Sequence, residues 1–155
     1  LYPHPIVLEA EKFAGYVKSE DALKRVSPRF IEGDTTEPQR ESYAKFAKVL
    51  LKNEFYDRIV GHKLEIVLQT NPSSIKSGGE FVVKVLFDGK PAAALRVSAG
   101  AENLNGGKYA AHSLTDENGL AKLEISGAGL WFVRTHFIRP HPNENENEFD
   151  WESFW

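Results

Sequence analysis

The stretch KLEIVLQTNPSSIKSGGEFVVKVLFDGKPAAALRVSA, residues 63–99, decides the fold class. Leu64, Ile66 and Leu68 alternate with Glu65 and Gln69, a period of two that places the apolar set on one side of a strand. Phe81, Val83, Val85 and Phe87 repeat that period, with Lys84 on the opposite side. Asp88-Gly89-Lys90-Pro91 follows directly. Gly89 supplies the positive φ of a tight turn, and Pro91 has no N–H for a ladder, so pairing is expected to stop there. Leu95 and Val97 resume the alternation around Arg96. Strands of this kind bury one face and need a second layer to cover it.

Downstream, the same grammar continues. Lys108–Leu114 and Leu120–Ile125 read as strands joined by the turn Thr115-Asp116-Glu117-Asn118-Gly119. Leu130–Ile138, LWFVRTHFI, is apolar on both faces and is expected to be one strand covered on both sides. Residues 140–148, PHPNENENE, are acidic and poor in apolar side chains, hence a loop or disordered. Asp150–Trp155 then brings three aromatics, which suggests a final strand that is cut short.

Upstream, Pro3 and Pro5 favour an extended start, and Glu9–Val26 is helix-like in pieces, with Phe13, Tyr16 and Val17 on one face. Thr36–Phe55 has the pattern of an amphipathic helix. Thr36 can cap it, Pro38 lies in the first turn, and Tyr43, Phe46, Ala47 and Leu50 form a stripe opposite Glu41, Lys45, Lys48 and Lys52. That helix is expected to lie over the second face of Leu130–Ile138. The lysine row reads more plainly as a solvated face than as an anion site. The predicted architecture is mainly β: an antiparallel immunoglobulin-like or transthyretin-like sandwich over residues 59–155, preceded by an N-terminal extended and helical segment over residues 1–58 that packs on it.

Composition narrows the function. The 155 residues carry a formal net charge of −3, which argues against general nucleic-acid binding. No apolar run is long enough to span a membrane as a helix. Cysteine is absent, which excludes disulfides and thiolate metal sites. Methionine is absent too, so Leu1 is expected to follow a segment lost by processing, of which a signal peptide is one kind.

A metal site would therefore rest on His4, His62, His112, His136 and His141, and none of these forms a helical His pair or an HExxH motif. His136 and His141 are the candidates. His141 lies near Glu144, Glu146, Glu148 and Asp150, and imidazole plus carboxylate suits Ni, Co or Zn with low selectivity. The plainer alternative is a solvated loop histidine, because nothing in the spacing makes these ligands converge. TDENG lacks the ligand series of a calcium loop, SIKSGGE lacks the ending of a phosphate loop, and no GxSxG elbow is present. Trp131, Trp151, Phe154 and Trp155 are candidates for a sugar-stacking platform, although Trp131 fits core packing better.

Taken in order, ESYAKFAKVLLK, GHKLEIVLQTNP, EFVVKVLFDGKPAAALRVSA, TDENGLAKLEISGAGLWFVRTHF and DWESFW resemble a bacterial domain-of-unknown-function family across Arg40–Trp155. That family has been labelled a nickel-uptake substrate-specific region, or the periplasmic component of a cobalt/nickel transport system. The resemblance implies a periplasmic or otherwise extracytoplasmic, non-enzymatic binding or accessory module linked to nickel or cobalt uptake. A carbohydrate- or protein-binding sandwich with structural duties at the envelope is the alternative, and a hydrolase is third. The sequence departs from the family pattern at both ends, lacking its His- and aromatic-rich mature start and its last strand.

Overall fold

A computed structural model describes residues 5–26, 30, 36–101, 111–142 and 150–155. The fold is mainly β and sandwich-like, and the chain divides into two compact units. The first comprises Leu1–Lys45 and His136–Trp155, the second Phe46–Thr135. The first unit thus draws on both sides of the expected 58/59 boundary.

The first unit contains β1 (Ile6–Leu8), α1 (Ala10–Ser19), α2 (Leu23–Val26), β2 (Gln39–Ala44), β10 (Phe137–Pro140) and β11 (Trp151–Phe154). Its sheet runs β1-β2-β11-β10. β1–β2 and β10–β11 are antiparallel, but β2 and β11 run parallel, with Glu41 opposite Trp151 and Tyr43 opposite Ser153. Strands more than a hundred residues apart in sequence have the connection length a parallel pair requires. α1 buries Phe13 and Val17, which gather with Ala22, Val26, Phe30, Ile138 and Trp151 into one apolar cluster. Asp150 ties β11 to β2. Its carboxylate accepts from the Arg40 backbone N–H at 2.7 Å and from Nη2 at 3.0 Å, while its own N–H donates to the Arg40 carbonyl at 2.8 Å. DWESFW therefore does begin a strand, and Trp151 and Phe154 are buried in it.

The expected Thr36–Phe55 helix is corrected. Gln39–Ala44 is strand β2, and the chain from Lys45 to Lys63 is irregular. Between β1 and β11 the backbone of β2 has hydrogen-bonding neighbours on both edges, which outweighs a helix propensity worth only tenths of a kcal/mol per residue. Glu41, assigned to the wet face, is buried, whereas Ala47 and Leu50 of the apolar stripe are exposed.

The second unit contains β3 (Leu64–Leu68), β4 (Gly79–Phe87), β5 (Lys90–Pro91), β6 (Arg96–Ala101), β7 (Ala111–Leu114), β8 (Leu120–Ile125) and β9 (Trp131–Thr135). β4 lies between β3 and β8 and also meets β5; β6 lies between β7 and β9; every pairing is antiparallel. The expected period-two faces of β4 and β8 appear as buried Phe81, Val83 and Val85 and buried Ala121 and Leu123. These face one another across the ladder, Phe81 opposite Leu123 and Val83 opposite Ala121. β6 adds buried Val97, Ala99 and Ala101, and β8 packs beside β6 and β7. Asp88 and Gly89 both have positive φ, 50° and 73°, as a two-residue hairpin turn requires, and β5 ends at Pro91 as expected.

LWFVRTHFI is not one strand. It is interrupted at His136: Trp131–Thr135 pairs with β6, while Phe137–Pro140 pairs with β11. The calls on Pro3 and His4, and those on 102–110 and 143–149, lie outside the described residues.

Gly119 closes the β7–β8 turn at φ +74°, and Asp116 Oδ1 accepts from the N–H groups of Asn118 and Leu120 at 2.9 and 2.8 Å. TDENG is thus a turn. A Cβ on Gly119 would lie 2.6 Å from the Val85 carbonyl oxygen and 3.1 Å from the Ala92 nitrogen, both backbone atoms. Gly119→Ala is expected to cost at least about 1–3 kcal/mol from the positive φ alone. Thermal unfolding by circular dichroism reads this out, and an unchanged midpoint would contradict the turn geometry.

Candidate functional site

The first unit holds a chain of polar side chains where α1 meets its sheet. The helical period places Tyr16 beside buried Phe13 and Val17. The parallel register of β2 and β11 places Glu41 and Ser153 on one face, because Glu41 pairs with Trp151 and side chains two residues apart share a face. His136 stands at the break before β10. Tyr16 Oη lies 2.6 Å from His136 Nε2 and donates to Glu41 Oε1 at 3.5 Å; Ser153 Oγ also donates to Glu41 Oε1. His136, Glu41 and Ser153 are all buried.

Burial sets the electrostatics. It pushes the Tyr16 phenol far above its ordinary range, and the nearby Glu41 carboxylate adds to that, while a hydrogen bond with Ser153 opposes it. Burial likewise raises the Glu41 carboxyl, and the Ser153 and Tyr16 hydroxyls offset part of the rise. Such a chain can pass a proton between imidazole, phenol and carboxylate, and it joins α1, β2 and β11 by hydrogen bonds. The Ser153 hydroxyl donates its hydrogen bond to Glu41 inside the unit.

Toward the surface the chain is capped by half-buried Trp155. Its ring lies 4.3 Å from that of His136 and stacks on Tyr16 at 5.9 Å. Lys45 Nζ stands over both the Trp155 ring, at 5.9 Å, and the Tyr43 ring, at 5.5 Å.

The second unit holds a carboxylate clamp. Glu65 was expected on a wet face, yet its side chain is 1 % exposed. Its Oε1 accepts from Lys48 Nζ at 2.9 Å and from Val60 N–H at 2.8 Å; its Oε2 accepts from Gly61 N–H at 2.9 Å and His62 N–H at 3.2 Å. Lys48 Nζ also donates to the Arg58 carbonyl at 2.9 Å, and Phe46 stacks on His62 at 5.3 Å. The ends of the 46–62 segment are thereby fastened together, in the manner of an Ω-loop. Burial would raise the Glu65 carboxyl, but the Lys48 ammonium and the donated backbone N–H groups outweigh it and hold the group below its ordinary value. Above this clamp Val49, Leu51, Phe55 and Ile59 are 77 %, 90 %, 73 % and 60 % exposed.

Of the metal candidates, His136 engages Tyr16 and Trp155, while His141 follows β10 and gives its backbone N–H to the Asp150 carbonyl at 3.0 Å. Among the described residues no three His, Asp or Glu side chains converge at metal-binding spacing. Glu144, Glu146 and Glu148 lie outside the described residues. His112 is exposed on β7, and Trp131 is half-buried, donating to the Gly127 carbonyl at 2.9 Å. Sequence reasoning missed Tyr16, Glu41, Ser153 and Glu65 as site residues. Single polar residues inside otherwise regular patterns carry no local signal of burial.

A family model, "Domain of unknown function (DUF4198)", matches residues 6–139. The chain belongs to the DUF4198 family. The DUF4198 match takes in β1 and α1, which precede the Arg40–Trp155 resemblance, and stops before β11. No curated protein and no solved structure matches the chain significantly. No helix among the described residues is long and apolar enough to cross a membrane.

Proposed function

We propose that this DUF4198 chain is a non-enzymatic binding or accessory module of the extracytoplasmic space. The observation that carries this reading is a division of labour between buried and exposed groups. Side chains fit for chemistry (Tyr16, Glu41, His136 and Ser153) interlock with one another inside the first unit, while large apolar side chains stand in the open on a clamped loop of the second. Exposed apolar groups held on an ordered base suit recognition rather than turnover. The immunoglobulin-like or transthyretin-like form of the sandwich belongs to the same proposal, as do an extracytoplasmic location and an association with nickel or cobalt uptake; the last two rest on the family resemblance of the sequence.

A second reading, a carbohydrate- or protein-binding sandwich, is favoured by the half-buried Trp155 and Tyr43 rings flanked by Lys45, since such rings stack on sugar faces. Isothermal titration calorimetry separates the two. Saturable heat with Ni or Co, weakened by His136→Asn or His141→Asn, is the result expected of metal association. Heat with soluble oligosaccharides and none with Ni, Co, Cu or Zn would replace it with the second reading.

A further inference from the structure

We infer that the clamped loop 49–60 docks the protein onto a lipid headgroup surface by inserting its apolar side chains. The loop is built for presentation. Lys48 Nζ joins the Arg58 carbonyl to Glu65, and Glu65 takes the N–H groups of Val60, Gly61 and His62, so the base is ordered before any partner arrives. Within the loop, Phe55 has a φ of +59° and its carbonyl accepts from the Arg58 N–H at 3.0 Å, which turns the chain at the tip. Phe55, the first residue of that turn, and Leu51, four residues before it, are 73 % and 90 % exposed. Preorganisation of this kind lowers the ordering cost of binding.

The chemistry selects lipid over protein. Lys52, Glu54, Asp57 and Arg58 interrupt the apolar side chains, all of them exposed. The dry centre of a protein interface is depleted in charge. A headgroup layer tolerates this mixture, because long basic side chains keep their heads among phosphates while apolar neighbours enter the acyl boundary. Charge is distributed to match. Within the loop Lys52 and Arg58 balance Glu54 and Asp57, and residues 46–65 hold four of the 19 basic and three of the 22 acidic residues, a net of +1, which leaves −4 on the rest of the chain. An anionic surface would attract this segment and repel the remainder.

Co-sedimentation of the whole chain with phosphatidylcholine vesicles, and with vesicles that also contain a minority of phosphatidylglycerol, tests the inference. The wild type is expected in the pellet with both, more so with the anionic vesicles. Leu51→Glu and Phe55→Glu are each expected to weaken partitioning roughly tenfold or more, since each removes one apolar insertion. Leu130→Glu, exposed before β9, should partition as the wild type. Equal circular dichroism melts show that the variants fold, and Leu51→Ser serves in place of Leu51→Glu if that variant does not. A wild type that stays in the supernatant with both vesicles overturns the inference, as does a Leu51 variant that partitions normally. A wild-type dimer in sedimentation velocity that Leu51→Glu splits would assign the loop to a second copy of the chain instead.

Discussion

Trp151→Ala is expected to destabilise the first unit by about 3–5 kcal/mol, the range for removing a buried indole. Trp151 is the largest fully buried side chain among the described residues. Its ring stacks on Phe13 at 5.2 Å, and Phe13 in turn meets Phe30 edge-on at 4.9 Å, so one side chain joins β11 to the apolar face of α1. The indole N–H donates to Gln39 Oε1 at 2.9 Å. Truncation therefore opens a cavity and strips a donor from the Gln39 amide, two costs that act together. Trp151→Phe keeps part of the stacking and should lose less than Trp151→Ala. Urea denaturation followed by circular dichroism measures both. A loss for Trp151→Ala below about 1 kcal/mol, typical of a surface substitution, would mean that the helix is not held to the sheet in this way.

Glu65→Gln is the second large effect, and it carries a pH signature. The substitution keeps the shape but removes the charge that faces the Lys48 ammonium and three backbone N–H groups. Charge-assisted hydrogen bonds are worth roughly 1.5–3 kcal/mol each, and a buried donor left unsatisfied costs about 1–3 kcal/mol, so a total loss near 3 kcal/mol at neutral pH is expected. The sign with pH follows from the direction of the shift. The folded carboxyl lies below its ordinary value of 4.5, so the clamp's contribution is complete above that pH and is lost as pH falls through the lower folded value. The stability gap between wild type and Glu65→Gln should be constant from neutral pH down to about 5 and close in stronger acid. Paired denaturation curves across that range measure it. A gap that persisted unchanged at the acid end would show that Glu65 acts by packing and not as a carboxylate. In the variant the loop base should also exchange its Val60 and Gly61 amide hydrogens faster.

How much of this was legible depended on whether the cause was local. The alternation Phe81, Val83, Val85 and its partners Ala121 and Leu123 reports burial directly, because a strand's period of two does not depend on what lies far away. Gly89 and Gly119 were equally readable, since positive φ is a property of a few adjacent residues. The helical piece around Phe13 and Val17 could be read from its own stripe.

What resisted reading was decided at a distance. Gln39–Ala44 has a helical pattern, and only strands β1 and β11 on either side make it extended. The run Leu130–Ile138 looks uniform, yet its two parts pair with different strands, β6 and β11, on either side of His136. Tyr16, Glu41, His136 and Ser153 are spread over most of the chain; the register of a parallel pair brings Glu41 to Ser153, while α1 carries Tyr16 and the break before β10 carries His136 into hydrogen-bonding reach.

By itself, then, the sequence determined a mainly β chain with short turns at stated glycines and a helical start, because steric limits on φ and the periodicity of side chains act over a few residues. Tertiary structure alone decided which polar groups were buried and where the apolar loop stood open. A carboxylate such as Glu65 is wet or dry according to whether another segment folds over it, and that depends on long-range closure of the chain rather than on its neighbours in sequence.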